Sequence, residues 1–344
     1  MTHTPAPTDP APTQPTVPSE ETDGLVCAFL LDGQGDARQV GWDEVRSWTP
    51  DKGEIWIHLD YTHETSARYI REESGVEPIA ADGLLATESR PRTIDFGTAV
   101  QVTLRGVNLN PGQRPEDMIS IRCWIEPGRM ITTRHRRLQS IDALRQRVTG
   151  PAKPKSVTEL FHLLADRLSA RVDDAVSAID ETVDELEEAA LDDATASGRG
   201  IERELGRMRR RAITLRRFLA PQREALNALQ VGVGPFTDRE RAHLREIVDH
   251  NLRILEDLDA TRERAAVVQE ELMHRASDQM NRNMYMLSVV AAIMLPLGFI
   301  TGLLGINVGG LPLSHSANGF WIVTGALVIL VAIQVYFFRK QKWL

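Results

Sequence analysis

Apolar and polar positions follow three successive rhythms along this chain. From Leu25 to Gly150 short apolar runs alternate with amphipathic ones. LVCAFLL, EIWIHL, TAVQVTLRGV, MISIRCWIE and RMITTRH read as strands, because β-branched and aromatic residues fill them and Gly, Pro, Asn or Asp bound them. WDEVRSW, HETSARYIREESG and SIDALRQRV read as helices. Strands interspersed with helices predict a compact α/β domain over 25–150, with Pro111–Asp117 as the loop of a hairpin.

After Pro154 the spacing lengthens to three and four. Leu160, Leu163, Leu164, Leu168, Val172, Val176, Ile179, Val183 and Leu186 predict one long amphipathic helix over Ser156–Asp193. Thr195–Gly200 punctuates it. A second helix is expected from Ile201 to about Val231, kinked at Pro221 and ended by Gly232–Pro235. From Thr237 the stripe runs through Leu244, Val248, Leu255, Leu258, Ala265, Val268, Leu272, Ala276, Met280 and Met284, with no Gly or Pro before Pro296. Continued into the apolar region beyond, such a helix would be about 100 Å long. A lone rod of that length is unstable in water, so the stripe must pack on the two preceding helices or on copies of itself. Oligomerisation is therefore expected.

The third rhythm is unbroken apolarity. Between Arg282 and Arg339 there is no Asp, Glu, Lys or Arg, although charged residues make up 26% of the chain. Met284–Leu304 and Phe320–Phe338 each approach the ~20 residues a helix needs to cross ~30 Å of hydrocarbon, and only Gly305–Asn318 separates them. They predict a membrane hairpin. Arg275 and Arg282 precede it, Arg339, Lys340 and Lys342 follow it, and the connecting loop has neither Lys nor Arg. Both termini are thus expected in the cytoplasm. Trp321 falls near one interface, Tyr336 and Trp343 near the other. The first 24 residues, rich in Pro and Thr, lack the apolar core of a signal peptide and are expected to be disordered.

Composition narrows the function. A formal net charge of -8 argues against a nucleic-acid partner. Cys27 and Cys123 sit singly in strand-like runs and read as small buried hydrophobes. No CxxC, HExxH, Walker-type or Rossmann motif occurs, and Asp32–Asp36 reads as a turn. Neither an enzyme nor a cofactor is expected.

The run TGLLGINVGGLP, between a long helix and a second span ending RKQKWL, resembles the CorA family of divalent-cation transport proteins. Most members carry Gly-Met-Asn where this chain has Gly305-Ile306-Asn307. That variant, with RRFLAPQREAL at Arg216–Leu226, looks like the zinc-transporting ZntB branch. The resemblance covers Leu25 to Leu344. It implies an α+β membrane protein, a homopentamer in the bacterial inner membrane. Its segments would be a cytoplasmic α/β domain (25–150), a long-helix funnel or stalk (151–283), a pore-lining first span (284–305), a periplasmic loop (306–318), a lipid-facing second span (319–338) and a basic tail (339–344).

Five Asn307 side chains around an axis would hold a hydrated ion through its waters, since small divalent ions dehydrate reluctantly. Gly305 would let the helix end and the backbones approach closely. Inward from there, helical spacing places Gly302, Gly298, Leu295, Ala291, Leu287, Met284 and Asn281 on one face, a neutral wall with apolar collars. Many relatives carry a Glu in the outer loop; here Leu311-Pro312-Leu313-Ser314-His315 stands instead. His315 is the metal-capable side chain on that side, and imidazole suits zinc better than magnesium. Glu270, His274 and Asp278 lie near the inner mouth, whereas His243 and His250 read as surface positions. No Asp, Glu or His occurs within either span. Any proton coupling would therefore use His315, the inner trio, or water carried on the ion. The acidic residues Asp173–Asp193 form either a solvated face or a cation-attracting one, and the basic run Arg207–Arg217 could pair with them.

The sequence thus predicts a Zn2+ transporter, with Mg2+, Co2+, Ni2+ and Cd2+ as further cargo and proton coupling left open. A Mg2+/Co2+ channel is the alternative within the class; a membrane-tethered scaffold or sensor is the alternative outside it.

Overall fold

The computed structural model describes residues 23–87, 90–151, 153–191, 198–306 and 317–340. Residues 1–22 of the segment expected to be disordered lie outside the described residues. The chain divides into two compact units, Met1–Ala266 and Val267–Leu344.

In the first unit seven strands form one sheet: β1 (Leu25–Leu31), β2 (Ala37–Gln39), β3 (Glu54–Asp60), β4 (Arg92–Asp95), β5 (Val100–Gly106), β6 (Ile119–Glu126) and β7 (Arg129–Arg134). The order is β2-β1-β3-β7-β6-β5-β4. The β3–β7 pairing is parallel and the others are antiparallel, so two antiparallel groups meet along one seam. Helices cover both faces, as a sheet that is apolar on both sides requires. Cys27, Phe29, Leu31, Trp56, Val102, Ile121 and Met130 point into one core with α4 (Gln139–Thr149) and the start of α5 (Val157–Leu191). Ala28, Ile55, Ile57, Leu59 and Ile131 point into the other. That second core contains residues of α1 (Trp42–Arg46) and α3 (Pro78–Leu85), and α2 (Glu64–Arg68) lies between those two helices in sequence. Both cysteines are buried and free. Burial pushes the Cys27 thiol up to about 12 and Cys123 further still.

Every strand and helix read from the pattern is present, and among the described residues β2, β4, α3 and a single 3-10 turn at Pro50–Lys52 are additional. β2 and β4 are the sheet edges, three and four residues long, too short to display a period. α3 carries Gly83, and a Cβ there would lie 2.3 Å from the Gln101 amide nitrogen. That amide donates to Ala80 O at 3.1 Å, so the glycine makes room for a tether between sheet and helix. The predicted helix after His63 is α2 continued by a π-type turn, Tyr69–Glu73, closed by Ser74 N–H donating to Tyr69 O at 2.8 Å. Asp32 forms the expected turn, its Oδ1 accepting from the amides of Gln34, Gly35 and Asp36 at 2.8, 3.1 and 2.9 Å.

Three long helices follow: α5, α6 (Gly198–Gln230) and α7 (Asp238–Leu304). α6 begins three residues before the predicted Ile201 and continues through Pro221. Within the first unit the apolar stripes close on one another. Leu168, Val172, Val176, Ile179 and Val183 of α5 are buried, as are Leu205, Ala212, Leu215 and Leu219 of α6 and Leu244, Val248, Ile254, Leu258 and Ala265 of α7. Of the two packing partners expected for the α7 stripe, the preceding helices supply this part. The buried line passes through Asn251, Ile254 and Thr261 rather than through Leu255, which is half-buried. Two polar side chains of that line donate to partners on α5. Asn251 Nδ2 donates to Ser169 Oγ at 2.7 Å, and Thr261 Oγ1 donates to Asp180 Oδ1 at 2.6 Å.

The acidic face of α5 is partly neutralised, but from α7. Arg264 pairs with Asp180 and Asp184, and His250 Nε2 lies 3.0 Å from Asp173 Oδ2. Burial opposes ionisation of Asp180, yet hydrogen bonds from Thr261 and Arg264 outweigh it and hold the carboxyl below the usual range. The basic run pairs elsewhere among the described residues: Arg211 with Glu116 at 3.2 Å and Arg216 with Asp259 at 2.7 Å. Among the described residues no ion pair joins that run to α5. Asp192 and Asp193 lie outside the described residues.

His162 on α5 gives this unit a pH dependence. Its ring packs against Phe161 and Phe236 and lies 6.1 Å from that of His243. Burial lowers its pKa to about 4, helped by His243 and opposed by Glu240 and Glu159. A histidine depressed in the folded state binds fewer protons there than when unfolded. Its stabilising contribution is therefore complete above the unfolded pKa of ~6.5 and is lost as pH falls towards about 4. The loss should reach about 3 kcal/mol. His162→Phe should flatten that part of the thermal-stability profile of the full-length protein between pH 7 and 4.5; an unchanged slope would refute it.

Candidate pore helix and its surroundings

The second unit contains the end of α7 and α8 (Gly319–Lys340), and both helices are long and apolar enough to cross a membrane. α7 carries the whole inner series in one element, continuing past Pro296 to Leu304. At ~100° per residue, Asn281, Met284, Leu287, Ala291, Leu295, Gly298 and Gly302 fall within an arc of about 120°. All seven are exposed in the single chain, Leu287 at 68% and Leu295 at 75%. The residues that are buried or half-buried here are Val289, Ile293, Pro296, Leu297, Ile300 and Leu304. They cluster about 180° away from the nominated arc. The other described helix of this unit is α8, and Gln334 of α8 donates from Nε2 to Ala292 O at 3.4 Å. Leu297 lines a groove of about 670 Å³ with Thr324, Leu327, Val328 and Tyr336 of α8. The uncharged arc is thus the face that α8 leaves open.

Gly298 and Gly302 stand four apart, and a Cβ on either would meet nothing within 4 Å. Their smallness serves no contact among the described residues. Glycines at that spacing allow close approach of another helix. Gly305 ends the helix, its N–H shared between Thr301 O at 3.0 Å and Gly302 O at 3.2 Å. Ile306 follows, 47% exposed. Asn307 and His315 lie outside the described residues, as does Trp343.

At the other end, Glu270, His274 and Asp278 follow one another at four-residue steps and all are exposed. His274 Nε2 stands 3.8 Å from Glu270 Oε1, and both side chains are more than 70% exposed. An exposed pair at that distance is a loose surface contact. No group of three or more His, Cys, Asp or Glu that could hold a metal occurs among the described residues. The inner trio is therefore three neighbours on one helix, not a preformed chelate. His243 and His250 lie on α7 within the first unit, where they meet His162 and Asp173. Sequence spacing did not single out Gln334, because one amide in an apolar run has no period; its carbonyl partner is what marks it.

An α/β unit, a helix that passes from it into an uncharged span, and a second apolar helix closing a hairpin define a membrane protein whose first span leaves one neutral face uncovered. A family model described as CorA-like Mg2+ transporter protein matches residues 51–340, and the chain belongs to the CorA family. It is 36% identical over 325 residues to the divalent cation transporter CmaX of Pseudomonas aeruginosa, covering 93% of this chain and 97% of that protein. It is 32% identical over 320 residues to the zinc transport protein ZntB of Yersinia pseudotuberculosis, covering 93% and 96%. The solved structure of full-length CmaX superposes with a TM-score of 0.82 at 34% identity, covering 95% of this chain and all of that one.

Proposed function

We propose that this protein is an oligomeric membrane transporter of divalent metal cations, with Zn2+ as its cargo, and that the uncharged arc of α7 lines its conducting path. The observation that carries the reading is that arc. Seven neutral positions share one face, stay exposed beside α8, and precede the Gly305-Ile306-Asn307 motif in the sequence. A neutral wall suits a divalent ion, because carboxylates along a narrow path would hold it too tightly to leave. Several copies must surround one axis for such a wall to enclose anything, and the open Cβ positions at Gly298 and Gly302 suit that approach. Five copies, as the family resemblance implies, is the arrangement we adopt.

In this arrangement 25–150 and 151–283 stand on the cytoplasmic side as domain and funnel. The spans are 284–305 and 319–338, and the loop 306–318 faces outward. Asn307 forms the outer collar for a hydrated ion, and His315 offers an imidazole beside it. Glu270, His274 and Asp278 meet the ion at the inner mouth as exposed, low-affinity contacts. The zinc assignment follows relatives named for zinc transport, together with His315, the metal-capable side chain of a loop that has no Asp or Glu. The family model's own description names Mg2+, and that is the second reading.

Flux into liposomes containing only this protein tests both. Zn2+ uptake exceeding Mg2+ uptake is expected, measured with a pH gradient imposed and then removed. Mg2+ uptake without Zn2+ uptake would establish the second reading. No flux of either ion would overturn transport and leave a membrane-tethered scaffold.

A further inference from the structure

Proline has no N–H, so Pro296 cannot close the helical hydrogen bond to the carbonyl four residues earlier. That carbonyl belongs to Ala292. In hydrocarbon no water replaces the missing donor, and a freed backbone group must be met by a neighbouring helix or side chain. Gln334 meets it: its Nε2 donates to Ala292 O at 3.4 Å. The acceptor used by α8 is thus the one that Pro296 orphans. Of the other polar side chains in the apolar run of α8, Thr324 donates from Oγ1 back to Phe320 O at 2.8 Å within its own helix, and Trp321 and Tyr336 are exposed. Gln334 is therefore the amide of that run placed to reach across. An amide in a membrane span is costly unless it is used, and this one lies where the first span has a vacant acceptor.

We propose that Gln334 is a positioning residue that locks the proline hinge of α7, fixing the direction of Leu297–Leu304 relative to α8. Gly298 and Gly302 of the proposed conducting arc lie beyond that hinge, so their radial position depends on the lock. Breaking it frees the end of the helix to swing about Pro296 without altering any group on the proposed ion path. The effect on conduction rests on the transport reading; the lock itself does not.

A double-mutant cycle on the full-length protein separates the two. Pro296→Ala restores an N–H, satisfies Ala292 O inside α7 and makes the amide redundant. Gln334→Leu should lower maximal Zn2+ flux in liposomes about fivefold with the half-saturating concentration unchanged, and less than about twofold in the Pro296→Ala background. The thermal midpoint of the detergent-solubilised oligomer should fall by about 2 °C on Gln334→Leu and show no such fall when Pro296→Ala is present. Gln334→Met, an unbranched side chain of similar length, replaces the leucine variant if that one does not assemble, with the same outcomes expected. Equal effects in both backgrounds, in flux and in melting, would overturn the lock. If the wild-type protein moves no ion, the transport reading fails and the melting cycle alone decides whether the lock exists.

Discussion

Asn307→Leu is expected to lower divalent-cation flux about 100-fold or more while the oligomer stays intact. Leucine is close to asparagine in volume but offers no carbonyl to the waters around an ion. α7 ends at Leu304, and the shared bond of the Gly305 amide closes its last turn. Asn307 follows Gly305 by two residues in the sequence, and the proposed collar rests on that position. A small divalent ion keeps its inner waters, so the collar acts by accepting hydrogen bonds from them, and several dipoles around one axis act together. Flux and size-exclusion profile should be measured on the same sample. Wild-type flux in a correctly assembled variant would remove Asn307 from the path and sink the proposed pore.

Leu258→Asp should unfold the three-helix part of the first unit. Leu258 is 1% exposed on α7, in line with Ile254 and Ala265 and among the stripes of α5 and α6. A carboxylate there would be buried without a cation designed to meet it, which costs upwards of about 4 kcal/mol, comparable with the whole stability of many domains. Leu258→Ala, which only opens a cavity, should cost about 2–5 kcal/mol and retain the fold. Leu272 provides the contrast. It lies in the second unit and is half-buried in the single chain, so an Asp there should be tolerated by the fold and felt in assembly. Thermal unfolding with size exclusion distinguishes the two positions. Equal tolerance at Leu258 and Leu272 would mean that the α7 stripe is not what holds the bundle.

The shared face of the candidate pore residues was legible because its signal is periodic. A helix repeats every ~3.6 residues, so listing Met284, Leu287, Ala291, Leu295, Gly298 and Gly302 already assigns them to one face. The buried polar line through Asn251 and Thr261 was not legible. Asparagine and threonine look like surface residues until Ser169 and Asp180 are brought opposite them from α5. The partner of Asp180 and Asp184 was not legible for a similar reason. Arg207–Arg217 is nearer in sequence, yet Arg264 reaches Asp180 and Asp184 because α7 lies along that face of α5.

By itself the sequence determined the charge-free spans, the long helical repeats, the strand-rich start and the Gly-Ile-Asn motif, since each is a local pattern set by side-chain type and spacing. The tertiary structure decided which stripe meets which, that β3 and β7 join two antiparallel groups in parallel, and that Gln334 stands opposite the carbonyl left by Pro296. Those facts depend on residues far apart in the chain. Spacing along one segment says which face a residue occupies, but only the folded packing says what that face meets.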